Sequence, residues 1–273
     1  MVLFTWIYRN IWTSRLIAME KRFLVLDCWI SRTNMDTAVD DVARQANAGK
    51  GGYVCFSNVH SVVTSRHDLQ LRKVTNESLM SMPDGKPIAV IGRLCGAKDL
   101  SQVSGPDFMP EFMEKMLDSR HYLYGATENT LKLLSEKLVV NIPRLNIVGR
   151  YAPPFGELTE EEECEILETI KKSLPDYIWV GLGAPKQEYW MAKHWAELKP
   201  AVLFGVGAAF DFHAGTKSRA PRWMRRVGLE WLHRLVSEPR RLWRRYLYTN
   251  LIFIFAAIKM LLNNCRTSHV DRQ

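Results

Sequence analysis

The chain has 273 residues, of which 47% are hydrophobic and 24% are charged. This length and composition favour one large core with a short appendage and exclude global disorder. The five cysteines are far apart, odd in number and form no CxxC pair. This pattern argues against a disulfide framework or a zinc site and favours a reducing cytosol.

The net charge of +8 lies in one segment near the C-terminus. Residues 216–246 contain ten lysines or arginines and two glutamates, so this segment carries +8 and the rest is neutral. A basic segment on a neutral body predicts an anionic partner there. Nucleic acid, anionic lipid and a diphosphate are the candidates.

Residues 1–21 are predicted to be an N-terminal extension. They are apolar but interrupted by Arg9 and Arg15, and they contain no cleavage-site pattern, which argues against a signal peptide. The segment is interpreted either as a short amphipathic helix or as an over-extended start.

Strand-like runs alternate with helical periodicity over residues 22–215. The alternation predicts an α/β catalytic domain with a Rossmann-like, largely parallel sheet and helices on both faces. Thr159 and Glu162 form a capping-box pattern that predicts a helix start. The predicted strands are 23–26, 53–56, 87–91, 121–124, 146–148, 178–180 and 202–204.

Residues 216–273 are predicted to form a basic, amphipathic, helical tail. Arginines alternate with tryptophans, and an apolar run of about 17 residues follows at 246–262, the lower limit for crossing a bilayer. The run leaves three arrangements open: spanning the membrane, lying in its interface or packing on a partner. A solvated basic face is the simpler interpretation, but the interleaved tryptophans favour the interface.

Loops rich in glycine or polar residues follow four of the predicted strands. Ligands of parallel sheets bind at such strand ends, and glycine lets backbone N–H groups approach a phosphate, so a nucleotide is the expected ligand. Neither glycine pair completes GxGxxG, because the sixth positions are Lys186 and Phe210. The alternative is that these are tight turns only. The four loops are 57–58, 125–127, 181–188 and 205–211.

Asp84 precedes the predicted strand 87–91 within a Pro-Asp-Gly sequence. An isolated Asp-Gly usually marks a turn, and the functional alternative is a general base at the mouth of the cleft. The chain has no D-x-D motif, no histidine pair at metal-ligand spacing and no G-x-S-x-G elbow. These absences predict no metal or other cofactor and argue against a serine hydrolase.

Four tail arginines are candidate phosphate ligands, because guanidinium groups clamp phosphate through paired hydrogen bonds. Arg234, Arg241 and Arg245 recur at helical spacing, and Arg244 follows Arg241 by three residues. They share one face if a helix continues through Pro239, which would otherwise start a new helix.

Taken together, these motifs resemble the WecG/TagA/CpsF glycosyltransferases over about residues 22–246. The resemblance implies inverting, metal-independent transfer from a UDP-sugar to an undecaprenyl-diphosphate-linked sugar at the cytoplasmic face of the membrane. It leaves open whether capsule, another exopolysaccharide or teichoic acid is made, and whether the sugar is N-acetylmannosamine, its uronic acid or another hexose. The matching motifs are PDG at 83–85, SGPD at 104–107, GAPKQE at 183–188, GVGAAFD at 205–211, RAP at 219–221 and GLEW at 228–231 with Arg234.

The resemblance also implies roles for individual residues. Asp84 corresponds to the general base, and Gln187 and Asn58 correspond to polar residues of the sugar and diphosphate pocket. Phe56 replaces a threonine found in many members, so sugar specificity does not carry over. The expected substrate-binding residues are Gly125, Gly183, Lys186, Glu188, Gly207, Asp211, Arg234, Arg241 and Arg244.

Two other classes of function compete with this hypothesis. A nucleic-acid-binding protein with a basic arm would bind generic DNA with strong salt dependence. The glycine loops and the apolar run argue against that class, so no nucleic acid is expected. A non-catalytic membrane scaffold would show no turnover of UDP-sugars. Homo-oligomerisation stays open, and an anionic membrane surface is the expected partner of the tail.

Overall fold

The computed structural model describes residues 21–156 and 158–270, excluding the side chains of Arg241, Arg245 and residues 263–270. Most of the predicted N-terminal extension therefore lies outside the described residues. The described strands are β1 Arg22–Val25, β2 Cys28–Ser31, β3 Gly52–Ser57, β4 Met80–Pro83, β5 Arg120–Gly125, β6 Asn146–Tyr151, β7 Tyr177–Gly181 and β8 Val202–Gly205.

The described helices alternate with these strands and continue beyond the last one. They are α1 Met35–Asn47, α2 Val59–Thr64, α3 Leu69–Glu77, α4 Lys86–Leu94, α5 Gly105–Lys115, α6 Glu128–Asn141, α7 Glu160–Lys172, α8 Lys186–His194, α9 Ala209–Ala214, α10 Arg222–Val227, α11 Glu230–Ser237 and α12 Pro239–Val270.

Six strands form one parallel sheet in the order β4-β3-β8-β7-β5-β6. The predicted fold class is confirmed. Because the strands are parallel, their carboxyl ends lie at one edge, and that edge gathers the loops that follow β3, β4, β5, β7 and β8.

Side chains that alternate along the strands build a separate core on each face of the sheet. Trp179 and Phe204 face one core, where they stack at 4.4 Å and meet helices α1, α5, α6 and α9. Ile178 and Leu203 face the other, where α3, α7 and α8 pack. The capping box predicted at Thr159 and Glu162 is confirmed at the start of α7.

The structure corrects one predicted strand and the sheet to which another belongs. Residues 87–91 lie in helix α4, because Pro87 suits a first helical turn that needs no N–H and Ile88, Ala89 and Ile91 are buried on one side. The strand predicted at 23–26 is confirmed as β1, but within the described residues it pairs with β2 alone, in an antiparallel hairpin separate from the parallel sheet. Two four-residue strands, β2 and β4, were not predicted, and β4 is buried throughout.

The predicted helical tail is confirmed as three helices, α10 to α12, that pack back onto the body. Pro239 begins a new helix, a position where its missing N–H leaves no intrahelical hydrogen bond unmade. Phe253 and Ala257 of α12 join a third core cluster with the β1–β2 hairpin, α2 and α4. Among the described residues, Leu242–Leu262 is the one stretch apolar and long enough to cross a membrane, with mean hydropathy 1.4.

Candidate active site

A cavity of about 1330 Å³ opens at the carboxyl edge of the sheet, beneath the C-terminal helices. The loops that follow β3, β4, β7 and β8 form its floor, and α11 and α12 form part of its wall. Most of the predicted site residues meet here. Those lining the cavity are Asn58, Asp84, Gly183, Lys186, Gln187, Gly207, Asp211 and Arg234.

Asp84 lies directly after β4, on the same edge of the sheet as Asn58. The Asp84 N–H donates to the carbonyl of Ser57 at 3.0 Å, and the Gln102 side chain donates to the Asp84 carbonyl at 2.7 Å. The sequence had predicted a strand at 87–91, with Asp84 before it. Its true position, after a strand, is where parallel sheets hold reactive groups.

The carboxylate of Asp84 is poised to accept a proton near neutral pH. Burial, reinforced by the negative charge of Glu230, raises its pKa to about 6. Hydrogen bonds from the Asn58 amide and the Gly105 N–H, and the positive charge of Arg234, oppose this rise. A base with a pKa close to the operating pH combines the ionised form with useful basicity.

Asn58 presents its amide nitrogen to Asp84. Its Oδ1 accepts the Ser61 N–H at 3.2 Å in a capping box that starts α2, so the cap fixes which way the amide points. Its Nδ2 then donates to Asp84 Oδ2 at 3.4 Å. Asn58 therefore orients the carboxylate and also reaches the cavity.

Gln187 binds protein groups on both sides of its amide. Its Nε2 donates to the Gly205 carbonyl at 2.6 Å and to Glu188 at 3.0 Å, and its Oε1 accepts the Gly183 N–H at 3.2 Å. With only 4% of its surface exposed, Gln187 holds the loops after β7 and β8 together. Its geometry is that of a positioning residue.

Two of the predicted substrate-binding residues lie below the cavity instead of lining it. A side chain at Gly125 would place its Cβ 2.7 Å from the carbonyl carbon of Gly181, so Gly125 serves the close approach of β5 and β7. Glu188 is buried and faces the core. Gly183, at φ +79°, has open space where a Cβ would stand, as expected where a ligand approaches backbone.

Six cations line the cavity. Of these six, Lys186 and Arg234 make neither an ion pair nor a side-chain hydrogen bond with the part of the chain that the structure describes, so they are available to a ligand. Lys217 pairs with Asp211 at 2.9 Å, which places Asp211 beside a cation. The others are bound within the protein, Lys86 to the Arg226 carbonyl, Lys193 to Glu163 and Arg225 to Asp107.

The tail arginines do not share one face of one helix. Arg234 lies on α11, whereas Arg241 and Arg244 lie on α12, after the break at Pro239. Arg244 lines a second, smaller cavity with residues of α2 and contacts the Trp243 ring, 5.2 Å from its centre. The side chain of Arg241 lies outside the described residues, so its role stays a prediction.

Comparison with known sequences identifies the family. The profile described as "Glycosyl transferase WecG/TagA/CpsF family" matches residues 23–267. The chain belongs to this glycosyltransferase family. The predicted resemblance is thus confirmed over most of the chain, including the C-terminal helices.

Similar curated proteins carry the name N-acetylglucosaminyldiphosphoundecaprenol N-acetyl-beta-D-mannosaminyltransferase. One, from Bacillus subtilis strain 168, is 30% identical over 199 residues, covering 72% of this chain and 75% of the relative. Another, from Bacillus spizizenii, is 28% identical over 200 residues, covering 72% and 76%. A third, from Staphylococcus aureus strain MW2, is 32% identical over 140 residues, covering 49% and 53%.

In this WecG/TagA/CpsF glycosyltransferase, an ionic network that the sequence analysis did not predict fixes α11 over Asp84. Arg219 forms two hydrogen bonds of 2.7 Å to Asp107 in the first turn of α5, and Arg225 adds a third at 3.1 Å. Ser104 donates to Asp107 at 2.6 Å, and Arg219 also pairs with Glu230 at 3.4 Å. We name this network the latch.

The latch joins residues more than 100 positions apart, so local spacing could not reveal it. For one member of the latch, Glu230, the sequence did indicate a place near the site. Glu230 and Arg234 stand four apart, which places both on one face of a helix. Both residues line the cavity, and their opposite charges act on Asp84.

Glu188 gives a testable dependence of stability on pH. Burial raises its pKa from 4.5 to about 7, and its Oε2 has no hydrogen-bond partner. Between pH 4.5 and about 7, Glu188 is therefore protonated in the folded state but ionised in the unfolded state. Its contribution to the free energy of unfolding falls as pH rises through this range. Glu188→Gln removes the titration. The free energy of unfolding should be measured in urea for both proteins. As pH rises from 5 to 8, the value for the variant should increase by about 2–3 kcal/mol relative to wild type.

The exposed Glu160 provides the control for this experiment. Glu160→Gln should leave the difference from wild type constant across the same pH range. If the difference in unfolding free energy between Glu188→Gln and wild type were also constant with pH, the buried carboxyl would not carry the titration assigned to it.

Proposed function

We propose that the chain transfers a sugar from a UDP-sugar to a sugar linked to undecaprenyl diphosphate, with inversion at the anomeric carbon. The observation that carries the proposal is Asp84, a carboxylate with a raised pKa at the carboxyl end of β4, in one cavity with unpaired cations and the tail helices. The product would enter a cell-surface polysaccharide. The names of the relatives support an N-acetylglucosamine-linked acceptor and an N-acetylmannosamine donor.

Asp84 supplies the base that inverting transfer needs. The carboxylate removes the proton of the acceptor hydroxyl as that oxygen attacks the anomeric carbon. The bond from the anomeric carbon to the β-phosphate oxygen breaks, and its electron pair leaves with UDP. Attack on the face opposite the departing phosphate gives the inverted linkage.

Cations and backbone groups of the same cavity stabilise the negative charge on UDP. Lys186 begins helix α8, where the helix dipole adds positive potential, and the space beside Gly183 is open, so its backbone is accessible to a phosphate. Arg234 reaches the cavity from α11. This set provides charge stabilisation without a divalent metal.

The C-terminal helices would place the enzyme at the cytoplasmic face of the membrane as a peripheral protein. Exposed Trp223 and Trp243, together with the basic segment, suit an interface with anionic lipid. The apolar stretch Leu242–Leu262 follows within the same segment. A lipid-linked acceptor accounts for positive charge and apolar surface lying side by side.

Purified protein should release UDP from one UDP-sugar in a screen with a short-chain lipid diphosphate acceptor, and UDP-N-acetylmannosamine is the first donor to test. Turnover should continue in EDTA, because the proposed charge stabilisation uses Lys186, Arg234 and backbone N–H groups. The assay measures coupled product and UDP. A loss of turnover in EDTA that manganese or magnesium restores would contradict the metal-independent mechanism. No turnover with any donor would favour the scaffold alternative.

A further inference from the structure

Helix α12 forms a long wall of the cavity that contains Asp84, and the polarity of that wall changes along the helix. Its first three lining residues carry a hydroxyl or an amide, and the following five are apolar. The lining residues of α12 are Tyr246, Thr249, Asn250, Phe253, Ile254, Ala257, Ile258 and Leu261.

The polar end of this wall lies beside α11. The Tyr246 ring meets the Trp231 ring at 5.9 Å, and Trp231 belongs to the helix that carries Glu230 and Arg234. Tyr246, Asn250, Ile254 and Ile258 stand four residues apart and form one row, about 18 Å long at the helical rise. The wall therefore leads from the charged part of the cavity to an apolar part.

The apolar part is only partly covered by protein. Phe253 and Ala257 turn inward and are at most 8% exposed, whereas Ile254 is 52% and Ile258 is 50% exposed. A nucleotide-sugar offers no hydrocarbon to cover these isoleucines. An acceptor with a diphosphate at one end and a polyprenyl chain at the other matches both parts of the wall, because burying its hydrocarbon removes apolar surface from water.

We propose that Ile254, Ile258 and Leu261 bind the isoprenoid units nearest the diphosphate of the acceptor. The inference rests on the proposed function and adds a specificity site to it. The site selects acceptors by their lipid chain and holds the diphosphate end near α11. It is distinct from general contact with the membrane, which the outward face of α12 would make.

The test compares two acceptors with the same sugar diphosphate, one on a polyprenyl chain and one on a short alkyl chain, both in detergent micelles. Ile254→Asn should lower kcat/KM for the polyprenyl acceptor about 10-fold and leave the short-chain acceptor within about 2-fold. Phe255→Asn is the matched control, because Phe255 is 72% exposed, neighbours Ile254 and does not line the cavity. It should leave the ratio between the two acceptors unchanged.

Two results would overturn the inference. The first is a wild-type ratio between the two acceptors for Ile254→Asn at an unchanged melting temperature, whether or not both activities fall. The second is the same change of ratio for Phe255→Asn. If Ile254→Asn lowers the melting temperature, Ile254→Ala decides instead, with an expected loss of about 3-fold confined to the polyprenyl acceptor. Failure of wild-type protein to turn over either acceptor would instead reject the proposed function.

Discussion

Asp84→Asn is expected to lower kcat by about 10²-fold or more while the fold and UDP binding persist. Asparagine keeps an oxygen for the Gly105 N–H but cannot take a proton from the acceptor. Steady-state kinetics and UDP titration, both at pH 7.5, separate these effects. Turnover within about threefold of wild type would reject Asp84 as the base.

The pH dependence of kcat/KM tests the same assignment. It uses Glu230 and Arg234, which act on Asp84 through their charges. The base must be ionised, so kcat/KM should fall as pH drops through about 6, the raised pKa of Asp84. Glu230→Gln removes a negative charge and should move the acid limb to lower pH. Arg234→Gln removes a positive charge and should move it to higher pH. Shifts in the same direction for both variants would contradict the electrostatic account.

Breaking the latch should produce the second large effect. Arg219→Ala removes both 2.7 Å hydrogen bonds to Asp107 and the contact with Glu230. Because these contacts fix α11 over the cavity, we expect kcat/KM for a short-chain acceptor to fall at least 10-fold. Arg222→Ala removes the same charge from an exposed position and should leave this activity close to wild type.

A double-mutant cycle isolates the pairing itself. Asp107→Asn and Arg219→Ala, singly and together, should give a coupling energy of about 1–2 kcal/mol in unfolding, limited because 44% of the Asp107 side chain is exposed. Additive effects on both stability and activity would show that the latch does not hold α11 in place.

The sequence predicted the parallel sheet well because buried strands and amphipathic helices leave local periodic patterns. It also predicted most of the cavity, since loops after parallel strands meet at one edge. The error at 87–91 has a local cause. Ile88, Ala89 and Ile91 form an apolar cluster too short to separate strand from helix by periodicity, and Pro87 was the signal for a helix start.

The parts that were not predicted depend on tertiary contacts. Gly125 and Glu188 look like ligand-binding residues in sequence. Packing between β5 and β7 instead accounts for Gly125, and Glu188 lies among the buried residues of α8, so neither lines the cavity. The separation of Arg234 from Arg244 depended on whether one helix continues through Pro239 or a new helix starts there. The latch could not be predicted without the tertiary structure, because it forms only where the tail folds back onto α5.

The third core cluster has a consequence for the order of assembly during synthesis. Phe23 of the first hairpin and Phe253 of α12 share that cluster although they lie 230 positions apart in the sequence. Contacts of such range form late, because the intervening chain must first be synthesised and then closed into a loop. The cavity therefore lacks one wall until α12 has left the ribosome. A nascent chain can complete its sheet, but it cannot close this cavity before α12 has been synthesised.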